Sequence, residues 1–306
     1  MVDIPAADFE AALERFFDMV EGRLATCAPN VTTIAELRAE LREERFRPSL
    51  AETCKWQALA GIDPGEASDA WLEEAHHFVD DFGRRVGEET FAQLQGKGSL
   101  AAAREALARM RASSTTVDLR WTADAGLHGA ASGEGVPWVR AVRAAQHLRK
   151  AHGLPKGPLT NEVLEDLLQV KLPLSAEVWK RRDTPVGGFR NGVTGGRTAI
   201  LVTSNRVTSQ RFYLGRLIGC AIASSEAEHF LPVTTSATAL QKFERAFAQE
   251  LLCPWDALDA FTDEHGMDEE GIAEAAEYFQ VSEWLVLTTL VNRGKLPRHR
   301  LPPVLQ

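Results

Sequence analysis

Much of what usually marks a function is scarce in this sequence. Cysteine is scarce: Cys27, Cys54, Cys220 and Cys253 stand far apart with no Cys-x-x-Cys, which excludes a disulfide framework and a zinc ribbon by spacing. No run of about 18 apolar residues occurs, so no transmembrane helix and no membrane partner are expected. The opening Met1-Val-Asp-Ile-Pro lacks a basic and then apolar leader, and a cytoplasmic location is expected. Positive charge is in deficit, with 34 Lys+Arg against 43 Asp+Glu, net −9. That balance argues against wholesale coating of nucleic acid, which needs a basic face to release counterions. The glycines at 187–188 and 195–196 are not followed by Gly-Lys-Ser/Thr, so they form no phosphate loop.

What is present reads as helix first and a little sheet later. In a chain of 306 residues, about two domains are expected. Phe9, Leu13, Phe16, Phe17 and Val20 recur at helical spacing, and helical patterns follow over 34–45, 67–82 and 100–111. These predict a helical N-terminal region over 1–112. Residues 113–136, rich in Ser, Thr, Gly and Ala, predict a linker or a short strand. Helices are predicted from Pro137 to Gly153, from a cap at Thr160, and over 209–223 and 239–252. A final pair is predicted over 269–279 and 282–293, with Ser282 as N-cap and Gly294 as C-cap. Gly187, Gly188, Gly192, Gly195 and Gly196 mark turns that feed the best strand, 198–203. The fold class is therefore α+β and predominantly helical.

Two stretches carry a resemblance. Gln210-Arg-Phe-Tyr-Leu-Gly-Arg-Leu-Ile-Gly-Cys220 resembles the active-site helix of the ImmA/IrrE family of bacterial regulatory metallopeptidases. Phe243-Glu-Arg-Ala-Phe-Ala-Gln-Glu-Leu-Leu-Cys-Pro254 is similar to the second helix of that family. Residues 138–168 and 272–296 resemble its opening and closing segments. The resemblance implies a zincin-like domain over 137–260 and a helix-turn-helix-like segment with a basic tail over 261–306.

It also implies a His-Glu-x-x-His site, whose positions can be checked one by one. The first histidine position is Arg216, which has no lone pair for zinc. The general-base position is Leu217, which takes no proton. The second histidine position is Cys220, a ligand only as thiolate. The third ligand is a carboxylate on the second helix, and only Glu244 could serve there, offset by one residue. A degenerate site is expected, with no catalytic residues and no cofactor. Arg216 is expected to pair with Glu244 across the two helices.

The resemblance then implies a pseudoprotease that binds a protein partner, a regulator or repressor, in transcription regulation or stress response. Contact is expected at Arg211, Arg216, Glu244 and the exposed edge of strand 198–203, open to β-augmentation. One alternative is an active zinc peptidase cleaving a repressor, its site rebuilt from Cys220, His229 and Glu244. The other is a DNA-binding regulator that uses 269–300. Its second helix is mostly apolar, however, and only Arg293, Lys295, Arg298, His299 and Arg300 are basic. His76-His77 are adjacent on a helix and do not chelate together. Cys253 is expected to be buried at a helix end.

Overall fold

The structure is a computed structural model that describes residues 6–28, 32–63, 65–95, 99–175, 186–190 and 196–301. The turn glycines Gly192 and Gly195 lie outside the described residues. The protein is mostly helical with one small antiparallel sheet. It parts into two compact units, Met1–Ala58 with Asp63–Gly65, and Leu59–Ile62 with Glu66–Gln306. No described helix is long and apolar enough to cross a membrane.

The first unit holds α1 (Ala6–Cys27), α2 (Thr33–Phe46) and most of α3 (Pro48–Ala60). α1 and α2 answer the predicted helical spacing. α3 had no clear period to announce it.

The second unit begins with α4 (Asp69–Phe82), α5 (Arg84–Leu94) and α6 (Leu100–Ala112). Ser68 and Ser99 cap α4 and α6, each accepting from the backbone N–H three residues on. β1 (Thr116–Asp118), a 3-10 turn at Arg120–Ala123 and α7 (Ala125–Ser132) follow. The segment 113–136 was expected as a linker. Its strand instead pairs into the sheet, and the buried Val117 and Leu127 join the core. The helices of 69–112 belong to the same unit as that sheet, so residues 1–112 are not one helical domain.

Next come α8 (Pro137–Ala151), α9 (Asn161–Leu168), β2 (Val186–Arg190), β3 (Arg197–Ile200), α10 (Val207–Ala223), β4 (Phe230–Val233) and α11 (Ala239–Leu252). α12 (Trp255–His265), α13 (Glu269–Phe279) and α14 (Glu283–Asn292) close the chain. Ser282 caps α14 as predicted, and Gly294 takes a φ of 78° just beyond it.

The strand order is β1-β3-β2-β4 with every pair antiparallel. The register fixes which side chains face which layer. Phe189 and Phe230 are partners, their rings 4.7 Å apart, and they meet Arg111 of α6 and Phe82 of α4. One residue along, Gly188 lies against Leu217 of α10, where an added Cβ would stand 3.0 Å from the leucine. The sheet therefore separates α10 from α4 and α6, as the two-residue period of a strand requires.

This order corrects one expectation. Residues 198–200 lie in β3, paired with β1 on one side and β2 on the other. An interior strand has no free backbone donors or acceptors, so no partner strand can add there. The edges are β1 and β4. β4 holds Pro232, and an edge is where a strand tolerates proline.

Candidate functional site

α10 is buried on nearly every side, from Gln210 to Ile222. Its glycines set the distance to α11. An added Cβ at Gly215 would stand 3.0 Å from the Ala248 Cβ, and one at Gly219 would stand 3.0 Å from the Phe247 ring. Without those side chains the two helix backbones close together. α11 starts at Thr238, whose hydroxyl accepts from the Gln241 N–H at 3.3 Å. That start places Gln241 and Glu244, three residues apart, on the face toward α10.

Arg216 lies between the two helices and the end of β4. Its Nη2 donates to the Thr234 carbonyl at 2.5 Å, to Gln241 Oε1, and to Glu244 Oε2 at 3.3 Å. The expected Arg216–Glu244 pair is thus formed. Its Nε meets no acceptor among the described residues. Glu244 is fully buried, and its other oxygen accepts from Gln241 Nε2 at 3.3 Å. Burial pushes the Glu244 carboxyl up to about 8, against the pull of Arg216, and Glu89 adds to the rise. Cys220 is fully buried too, its Sγ 3.6 Å from the Pro232 carbonyl and 3.8 Å from the Ser224 hydroxyl. Burial, and then the Glu244 charge, hold its thiol well above the usual cysteine range. Burial thus favours its thiol over its thiolate.

The free edge of β4 is occupied from within. Gln241 Nε2 donates to the Pro232 carbonyl at 3.1 Å, and its Oε1 accepts from the Thr234 N–H at 2.9 Å. One side-chain amide so takes the place of a neighbouring strand's peptide group. The next edge carbonyl, Thr234, is held by Arg216. Glu89 of α5 covers the turn beyond, accepting from the Thr238 hydroxyl at 2.7 Å and the Ser236 hydroxyl at 3.2 Å.

Sequence reasoning missed Gln241, Glu89, Thr234 and Ser236. The polar run Thr234-Thr-Ser-Ala-Thr238 was the available signal, because hydroxyls placed just after a buried strand need partners.

The remaining expected residues fall elsewhere. His229 is exposed at the head of β4, its ring 6.4 Å from that of Phe189. Cys220 and Glu244 are brought within hydrogen-bond reach of each other, but His229 does not join them, and no group of three His, Cys, Asp or Glu among the described residues is placed to hold a metal. Arg211 is fully buried. Its Nε donates to the Gln280 carbonyl at 2.9 Å, its Nη1 to Asn161 Oδ1 at 2.7 Å, and its Nη2 to the Leu159 carbonyl. Burial pushes its guanidinium down to about 10. Arg211 ties the start of α9 and the α13–α14 turn to α10. Arg211 and Glu244 were expected to meet a partner, but both are wholly covered, and Arg216 is nearly so. Direct contact with them is closed in this conformation.

On the closing pair, Lys295 binds Asp259 at 2.7 Å and Asp263 at 3.4 Å. Arg293 lies over the Trp255 ring and 3.7 Å from Glu250. Two of the five basic residues of the tail region are therefore engaged by the protein's own acidic and aromatic groups. Arg298, His299 and Arg300 are exposed. Cys253 is buried at the end of α11, as expected. Comparison with family models, curated proteins and solved structures found no match to this chain.

At the three positions that the resemblance aligns with a metal site stand a guanidinium paired with Glu244, a leucine and a buried thiol. What the arrangement can do chemically is hold two helices and a strand edge in one register.

Proposed function

We propose that this protein is a non-catalytic relative of the ImmA/IrrE peptidases that acts as a regulatory, partner-binding module. The observation that carries this reading is the place of Arg216. Where the resemblance puts a metal-binding histidine, a guanidinium reaches the same carboxylate, Glu244, that the resemblance makes a ligand. The protein's own cation then does the structural work that a metal would do, linking two helices, and supplies no water activation. The zincin-like character of the domain and the helix-turn-helix-like character of α13–α14 belong to this proposal.

The partner in this reading is a protein, and it meets the outer surface rather than the closed site. DNA is the weaker alternative, because acidic groups answer Lys295 and because α14 exposes Glu283 and Trp284. The rebuilt zinc peptidase has no observation in its favour.

The test is metal content by mass spectrometry after zinc exposure and desalting. The proposal expects no stoichiometric zinc. About one zinc per chain, lost in Cys220→Ser or Glu244→Gln, overturns it.

A further inference from the structure

The α1–α2 pair has its charges inside and its apolar side chains outside. Arg38 of α2 is held by Glu14 at 2.5 Å, Asp18 at 2.9 Å and Glu21 at 2.8 Å, all on α1. Arg42, one turn further along α2, reaches back to Glu14 at 3.7 Å, so the two helices run antiparallel. Arg38 is the only buried residue among the described residues of the two helices. The large apolar groups stand in the open instead. Phe9, Leu13 and Phe16 are 59%, 39% and 53% exposed on α1, and Leu37 and Leu41 are 50% and 42% exposed on α2.

These five side chains share one face. At 3.6 residues per turn, Phe9, Leu13 and Phe16 project about 100° to one side of the row that meets α2, namely Glu14, Phe17, Glu21 and Leu24. Leu37 and Leu41 project about 60° from Ile34 and Arg38. In an antiparallel pair both offsets fall on the same side. The result is one broad apolar surface backed by an ionic seam, and a helix with an apolar stripe must bury it against another element.

We infer that this face is a self-association surface, on which two copies stack their α1–α2 pairs into a four-helix bundle. The face matches itself, as a two-fold interface requires. Each exposed apolar side chain leaves on the order of 100 Å² uncovered. With Met19 at the border, 68% exposed, one copy offers on the order of 600 Å². Two copies then bury about 1,200 Å², the lower bound of specific interfaces. A two-fold axis along the helices lays α1 of one copy on α2 of the other.

The test is the molar mass of the full chain by light scattering, over about 1–100 µM. A dimer that forms within this range is expected. Phe16→Glu with Leu41→Glu is expected to weaken it at least 100-fold, whereas Trp284→Glu, an exposed apolar residue on α14, leaves it intact. Phe16→Ala is a milder variant that keeps every charge, and it weakens the dimer several-fold. A monomer throughout the range overturns the inference, as does a dimer that survives F16E/L41E or one that W284E dissolves equally.

Discussion

Arg38 and Arg216 are both buried arginines beside carboxylates, and their surroundings are opposite. Arg38 meets three carboxylates that are themselves partly exposed, on a helix pair whose seam residues Phe17, Leu24 and Ile34 are only half-buried. Arg216 meets one carboxylate with no exposure at all, on helices whose Leu217, Phe243 and Phe247 belong to the main core. In the first case the ions hold the helices and water still screens them. In the second the apolar packing fixes the helices first, and the ions must be satisfied inside it. A buried arginine therefore marks a partly open seam in one region and a sealed core contact in the other.

The largest expected effect separates the two most sharply. Arg216→Ala leaves Glu244, Gln241 and the Thr234 carbonyl without their shared donor. Loss of one partner from a buried pair costs about 3 kcal/mol, read as a fall in midpoint by urea denaturation. Replacing both partners, Arg216→Met with Glu244→Leu, is expected to recover most of it. If the double variant is no better than the single, the pair is not the unit that matters.

A middle-sized effect lies in pH. The folded Glu244 carboxyl titrates at about 8 against an ordinary 4.5, so the folded state binds the proton more tightly than the unfolded chain. Its contribution is fully present below about pH 4.5, and stability falls as pH rises to about 8. Glu244→Gln keeps the shape and removes that slope, by on the order of a few kcal/mol across the window. An unchanged slope between wild type and variant would show that Glu244 is charged throughout.

The smallest effect belongs to Arg38. Arg38→Ala is expected to loosen α1 from α2, seen as faster amide exchange in those helices, with the rest of the chain unmoved. The difference should shrink in high salt, because its carboxylate partners are open to solvent. If the effect of Arg216→Ala shrinks with salt to the same degree, the contrast between the two arginines is lost.

Much of the fold was legible along the chain. The spacing of Phe9, Leu13 and Phe16 predicted α1, and Ser282 and Gly294 bounded α14, because helix periodicity and capping are local properties. α3, α5 and α12 were not found, since short helices of mixed composition carry no clear period. Within the site, Arg216, Cys220 and Glu244 were placed on helices by the apolar patterns over 209–223 and 239–252. Gln241 and Glu89 were not, because their roles depend on partners on β4 and the turn after it, which the sequence does not place beside them.

By itself the sequence determined the identity of the groups: an arginine, a leucine and a cysteine on one helical segment, and Glu244 on the next. Lone pairs and charge are properties of side chains, so these are legible from the residue types alone. Only the tertiary structure decided what the groups do. Gly215 and Gly219 let α10 and α11 close, and Gln241 turned its amide onto the edge of β4. Strand order put 198–200 inside the sheet rather than at its rim. Access, register and burial arise from segments far apart in the chain, and only the fold brings them together.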